Sequence, residues 1–254
     1  MKITFLGTGT SIGVPVIGCN CEVCRSRDPR DKRLRSCVLV QTQGRGILID
    51  CGPDFRYQML RAGAPPINAV LLTHSHYDHV GGLDDMRPYT HRHPNMPVFC
   101  SPDVADDIRN RLPYCFAENP YPGTPSFALN EVTAEADSIL VEGLPVTPLA
   151  VMHGRLPILG WRIGPFAYIT DASFIPDETF DRLHGIDTLV INALREKPHP
   201  AHFNFDQALA AIDRIAPRRA YLTHFAMEAG LHAAIAAHFP ATVLPAHDTL
   251  TLSL

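Results

Sequence analysis

The sequence predicts an α/β protein built from two β-sheets packed face to face, with helices on the outside. Three observations lead there. Short apolar runs, each long enough for one strand, recur along all 254 residues. Each half of the chain runs through strands and then helices, the order that suits sheets covered by helical layers. Several of these runs end abruptly in histidine or aspartate, so polar side chains from distant sequence gather where the strands stop. Hydrophobic content of 46% and charged content of 19% are ordinary for one large globular core, and residues 1–254 read as a single domain.

Residues 2–8 alternate and run into Gly7-Thr8-Gly9-Thr10. Without the lysine of a phosphate-binding loop, and with no helical pattern after it, this reads as a close-packed turn. Cys37–Val40 and Gly46–Asp50 form a hairpin around Gly44. Helical spacing follows to Ala62, and Ile67–Leu72 is the next strand. Leu83–His91 reads as a helix, Met96–Cys100 as a strand, and Ser101-Pro102-Asp103 as a helix start. The proline-rich stretch 113–126 is an excursion, a lid or an edge loop. Strands then cover Phe127–Val132, Ser138–Val141, Leu144–Val151, Leu159–Ile163 and Phe166–Ile169. The remainder alternates: helix Pro176–Leu183, strand Thr188–Asn192, helix Phe205–Ile215, strand Ala220–Leu222, helix Ala229–His238 and two terminal strands.

The chemistry concentrates in Thr73-His74-Ser75-His76-Tyr77-Asp78-His79, directly after a buried strand. Imidazole nitrogen and carboxylate oxygen are the usual donors for zinc and similar cations. His74 and His76 are two apart and share one side of an extended segment. Asp78 and His79 follow where the chain turns and aim at a second position, so one stretch furnishes two adjacent metal sites. Gly81-Gly82 suits close backbone packing behind it. His153, Asp171 and His224 each follow an apolar strand and join this set. His91, His93, His199, His232 and His238 read as solvated, and His247-Asp248 as lining the pocket. Seven cysteines with no export signal argue against a disulfide framework. Cys19, Cys21 and Cys24 instead read as thiolate ligands for one structural metal. The basic run Arg25, Arg27, Arg30, Lys32, Arg33 and Arg35 reads as a solvated loop, or alternatively as a guanidinium rim for an anionic substrate.

The His-x-His-x-Asp-His motif and its three distant partners resemble the metallo-β-lactamase fold superfamily along nearly the whole chain. That resemblance implies a four-layer αββα sandwich, with His74, His76 and His153 on one metal, Asp78, His79 and His224 on the other, and Asp171 bridging. The early glycine-rich strand end followed by Gly-Cys-x-Cys-x-x-Cys narrows it to the branch of phosphonate-utilisation phosphodiesterases and ribonuclease Z-like enzymes. By that likeness His202, in His202-Phe203-Asn204-Phe205-Asp206 before a helix, is the catalytic histidine. The branch completes its structural zinc with a histidine three positions after the last active-site histidine; here that position is Met227.

The expected function is therefore dinuclear hydrolysis of a phosphodiester in a small cyclic phosphate or nucleotide. A hydroxide bridging two cations (zinc, manganese or iron) about 3.5–4 Å apart would attack, oriented by Asp78, with His202 at the leaving oxygen. Alternatives on the same fold are carboxyl-ester, thiol-ester or lactone hydrolysis, tRNA 3′-processing, and a non-catalytic accessory role in cofactor biosynthesis. The net charge of −4 weighs against an extended nucleic-acid surface. With no apolar run of membrane-spanning length and no signal-peptide layout, a cytoplasmic protein is expected. The resemblance further suggests a homodimer.

Overall fold

The computed structural model describes residues 1–254. Fourteen strands form two sheets. In chain order they are β1 (Lys2–Gly7), β2 (Cys37–Thr42), β3 (Arg45–Ile49), β4 (Ala69–Leu71), β5 (Met96–Cys100), β6 (Phe127–Glu131), β7 (Ile139–Val141), β8 (Leu144–His153), β9 (Leu156–Ile163), β10 (Phe166–Ile169), β11 (Thr188–Asn192), β12 (Arg219–Thr223), β13 (Val243–Pro245) and β14 (Thr251–Ser253). The first sheet has the order β14-β1-β2-β3-β4-β5-β6, the second β13-β12-β11-β10-β9-β8-β7. The last strand thus returns to pair with the first. The eight α-helices are α1 (Glu22–Arg25), α2 (Phe55–Arg61), α3 (Tyr77–Val80), α4 (Arg87–Thr90), α5 (Pro102–Arg111), α6 (Asp177–Arg182), α7 (Phe205–Ile215) and α8 (His232–His238).

Strand periodicity explains the layering. On β2, Val38 and Val40 face the other sheet while Cys37 and Leu39 face outward; on β3, Ile47 and Ile49 face in while Leu48 faces out. Side chains alternate between faces, and here both faces are covered, so Cys37–Val40 and Ile47–Ile49 are continuous apolar runs. The central cluster joins Phe5, Ile47 and Leu71 of the first sheet to Trp161, Tyr168 and Tyr221 of the second. Outside the first sheet lies a cluster with α2 and α5, including Phe55, Met59 and Ile108. Outside the second lies one with α7, including Phe205, Ala208 and Ile212. Helix, sheet, sheet, helix is the sandwich expected from sequence.

The β2–β3 hairpin turns through Gln43 and Gly44 at φ 50° and 74°, with Thr42 paired to Arg45. Both turn residues are left-handed, the geometry that matches strand twist in a two-residue hairpin. Two predicted helices are interrupted. Residues 83–91 begin as a 3-10 turn, Leu83–Met86, before α4. The final helix starts at His232, because Gly230 adopts φ 96° and breaks it from the 3-10 turn Met227–Ala229. The excursion 113–126 is tied to this outer layer where Tyr114 donates to Asp84 at 2.7 Å and Arg87 to the Gly123 carbonyl at 3.4 Å.

The basic run is not a uniformly solvated loop. Arg25, Arg27 and Arg30 are exposed, but Arg33 is 3% exposed. It donates to Thr8 Oγ1 at 2.9 Å and to the Ala246 carbonyl at 2.7 Å, and lies 4.5 Å over the Phe225 ring. Burial pulls its pKa down to about 10 against the opposing pull of Asp248 and Asp31. His232 is also buried, contrary to the solvated reading, with Nδ1 3.3 Å from Arg33 Nη2. Asp248 does not open onto a pocket there: it is buried, accepting from Thr8 and the Leu34 N–H. This network ties the early loop to α8.

Burial and then the Arg33 charge push the His232 pKa down to about 4. The unfolded chain, with a histidine near 6.5, therefore takes up that proton first as pH falls. The contribution of neutral His232 is full above about 6.5 and is lost as pH drops through about 4. Between those values the wild type should lose urea stability relative to His232→Gln. A gap that stays constant with pH would show that this histidine does not titrate so.

Candidate metal centre

Strands β3 and β4 run parallel, as do β10, β11 and β12. Strand β9 is antiparallel to both β8 and β10, so β8 and β10 share a direction. The carboxyl ends of these strands carry Asp50, the His74–His79 loop, His153, Asp171, Asn192 and His224. Ligand sites in open α/β sheets form at such ends.

Local backbone geometry turns the side chains inward. Asp50, Asp171 and His224 all adopt left-handed φ, at 63°, 58° and 59°. Each follows the end of its strand within two residues. Left-handed backbone at non-glycine residues is strained and clusters at functional sites. The Asp171 turn is clamped: Ala172 N–H donates to Asn192 Oδ1 at 2.7 Å, and Asn192 Nδ2 returns to the Ala172 carbonyl at 3.0 Å. In the 73–79 loop, His76 is extended at the start of α3 and Asp78 and His79 lie within it. The loop sits directly against the chain after β3, and a Cβ on Gly82 would overlap the Gly52 carbonyl oxygen.

Two groups of donors result. Donor atoms of His74, His76, His153 and Asp171 lie within 4.8 Å of one another, as do those of Asp78, His79, Asp171 and His224. Asp171 belongs to both. Its Oδ2 is 3.8 Å from His74 Nε2, while its Oδ1 is 3.5 Å from His79 Nε2 and 3.2 Å from His224 Nδ1. All seven residues predicted as ligands meet here.

The donor set fits cations. His74 Nε2, His79 Nε2 and Asp78 Oδ2 are buried with no hydrogen-bond partner. Leaving such an atom unsatisfied costs about 1–3 kcal/mol; a cation at the first donor group would supply the missing partner to His74, and one at the second to Asp78 and His79. Charge states agree for most donors. Burial lowers the pKa of His74, His76 and His224, leaving neutral imidazoles. Burial pushes the Asp171 carboxyl up, but His224, His79 and His74 outweigh it and hold the group well below its usual range. Asp78 is likewise lowered, burial being overcome by His79. His79 is the exception: burial lowers it, yet Asp171, Asp50 and Asp78 together raise it well above an ordinary histidine. A cation bound there would take the place of that proton.

A surrounding shell orients the imidazoles. His79 Nδ1 lies 2.7 Å from Asp50 Oδ2, and Asp50 Oδ1 accepts from the Thr73 N–H and hydroxyl at 2.9 and 3.0 Å. Thr73 Oγ1 is 3.0 Å from His74 Nδ1, the Ala201 carbonyl accepts from His153 Nδ1 at 2.6 Å, and Ser36 and Thr10 reach His224 at 3.2 and 3.3 Å. Sequence reasoning passed over Asp50, Ser36, Thr10 and Asn192. Asp50 carried a usable signal: it ends an apolar strand as Asp171 and His224 do.

His202 enters the same space from the segment before α7. Phe203 N–H donates to the Ala172 carbonyl at 2.6 Å, and Asn204 caps α7 reciprocally with Gln207. The His202 ring lies 4.6 Å from that of His153 and 5.0 Å from that of His224. Its Nδ1 is 3.9 Å from Asp171 Oδ2 and has no hydrogen-bond partner. Of the other histidines, His199 is half-buried with its ring 5.0 Å from that of His202 and tilted by 42°, while His91, His93 and His238 are exposed.

Two seven-stranded sheets with paired imidazole–carboxylate donor groups at one edge define a metallo-β-lactamase fold with a divalent-metal site. A family model described as "Beta-lactamase superfamily domain" matches residues 45–225. The crystal structure of a new diphosphatase from the PhnP family is similar over 100% of this chain and 97% of that one, with 37% identity and a TM-score of 0.92. The chain therefore belongs to the β-lactamase superfamily, in its PhnP-family branch. Zinc-bound PqqB from Methylobacterium extorquens shares the fold, at 21% identity and a TM-score of 0.79 over 100% of both chains. A protein of Porphyromonas gingivalis named octanoyltransferase is 48% identical over 234 residues, 91% of this chain. This chain spans only 47% of that protein's length. No helix is long and apolar enough to cross a membrane.

Proposed function

We propose that the chain hydrolyses a phosphoric ester or anhydride bond in a small phosphorylated molecule, a cyclic phosphate or nucleotide being the leading class. His74, His76, His153 and Asp171 would hold one divalent cation, and Asp78, His79, His224 and Asp171 the other; zinc, manganese and iron all suit these donors. Bound there, the cations would supply Lewis acidity, neutralise phosphoryl charge and acidify water. The chain's own side chains do the rest. Asp171 holds the two donor groups in register, Asp78 orients the attacking water, and the buried walls keep bulk solvent from the reacting centre.

The observation that carries this reading is His202, a further imidazole in the same space with an unpartnered nitrogen. Burial, then the neighbouring His224, push its pKa down to about 3. It is therefore neutral near pH 7, and its ring N–H can donate to a phosphoryl or leaving oxygen without bringing a buried charge. The similarity to a diphosphatase at 37% identity supports the same substrate class.

Chelated protein reloaded with each metal should cleave bis(p-nitrophenyl) phosphate, cyclic nucleotides or a dinucleoside diphosphate. His202→Ala should lose about 10²–10⁴-fold in kcat while keeping its metal content. Full turnover by that variant with metals intact would exclude the donor role. A second reading, thiol-ester hydrolysis, is kept because of the acyl chemistry in the name of the octanoyltransferase relative, of which this chain spans 47%. An acyl-thioester in the same assay separates the two, because phosphodiester cleavage that fails with every metal removes the first.

A further inference from the structure

The three-cysteine loop departs from the donor set its family resemblance implies. Cys21 caps α1 and Cys24 lies within it, and the sulfurs of Cys19, Cys21 and Cys24 lie within 4.8 Å of one another. Met227 stands where the branch places a histidine, in the turn three residues after His224. Its Sδ is 3.4 Å from Cys19 Sγ and 3.8 Å from Cys24 Sγ. The fourth donor is therefore present, and it is a thioether. Val14, Val16, Val23 and Leu231 wall the group with apolar surface. Backbone N–H groups of Val16, Cys21 and Cys24 donate to sulfur at 3.4, 3.5 and 3.5 Å; the Cys24 N–H lowers the Cys21 pKa, while burial pushes the Cys24 thiol up to about 11, so a metal there must displace its proton.

Zinc(II) is bound by thiolate, imidazole or carboxylate. A neutral thioether gives it little, whereas thiolate with thioether selects copper(I). We infer that Cys19, Cys21, Cys24 and Met227 form an all-sulfur site for copper(I), in place of the structural zinc. Binding exchanges thiol protons for the metal: S–H bonds break, sulfur–copper bonds form and the protons leave to solvent. Copper enters and stays as copper(I), so no oxidant or reductant is consumed. Met227 follows His224 closely in the chain, so loading this site braces the turn behind the dinuclear centre.

The test uses the full-length chain, reduced, metal-stripped and anaerobic, titrated with copper(I) held by bicinchoninate and separately with zinc(II). Iodoacetamide labelling mapped by peptide mass reads protection of Cys19, Cys21 and Cys24 alone, since the histidine–aspartate centre contains no thiol. One equivalent of copper(I) should protect the three, and zinc(II) should not at the same free concentration. Met227→Ala should weaken copper(I) binding about tenfold or more, and Met227→His should turn the preference towards zinc(II). Zinc protecting the wild-type thiols as well as copper does would overturn the assignment, as would copper(I) leaving their labelling unchanged. X-ray absorption at the copper edge needs no variant: a first shell of sulfur alone supports the site, and nitrogen in that shell refutes it.

Discussion

Asp171→Asn should leave a protein that folds, holds at most one cation per chain at metal concentrations that saturate the wild type, and hydrolyses at least about 10³-fold more slowly. That loss corresponds to about 4 kcal/mol of transition-state stabilisation. Asp171 is the one residue common to both donor groups. Its two oxygens divide between them, Oδ2 towards His74 and Oδ1 towards His79 and His224. Asparagine keeps the shape and one carbonyl oxygen but presents an NH₂ on the other side, which repels a cation. It also removes the negative charge that four neighbouring imidazoles surround. Elemental analysis alongside kcat/KM checks this. Two ions per chain with near-normal turnover would show that Asp171 is not shared between two metals.

Asp50→Ala touches no donor position directly, yet it should weaken metal binding by about 10–100-fold, the usual effect of removing an outer-shell partner. Asp50 and His79 are both 0% exposed and 2.7 Å apart. With the carboxylate gone, His79 loses its orienting partner, and the Thr73 N–H and hydroxyl lose their acceptor. Breaking a buried ionic pair from one side costs about 3–5 kcal/mol, so the metal-free variant should also unfold at markedly lower urea. Asp50→Asn should recover part of the stability, because an amide oxygen can still accept from Thr73. A metal-binding isotherm and a urea curve matching the wild type for Asp50→Ala would remove this residue from the site's support.

Legibility in the sequence followed the range of the forces involved. The seven donors are readable because their signals are local: a dense His-x-His-x-Asp-His run, and polar residues that end apolar strands. Strand positions are readable for the same reason, although β8 extends two residues past the predicted Val151 and takes in His153. The supporting shell was not readable. Ser36 and Thr10 look like any loop hydroxyl until the sheets bring them to His224. Arg33 looks solvated in a charged run and His232 on the open side of a helix; they are buried because residues far apart in sequence cover them.

The order of residues alone pointed to the strands, most of the helices, the two-sheet sandwich and the seven candidate donors, since periodicity and residue chemistry act over a few neighbours. Tertiary structure decided how those donors are shared and aimed. Three left-handed residues at strand ends, one carboxylate split between two groups, and a methionine brought over three cysteines all arise from contacts between segments far apart in the chain. No local pattern encodes a distance across the fold.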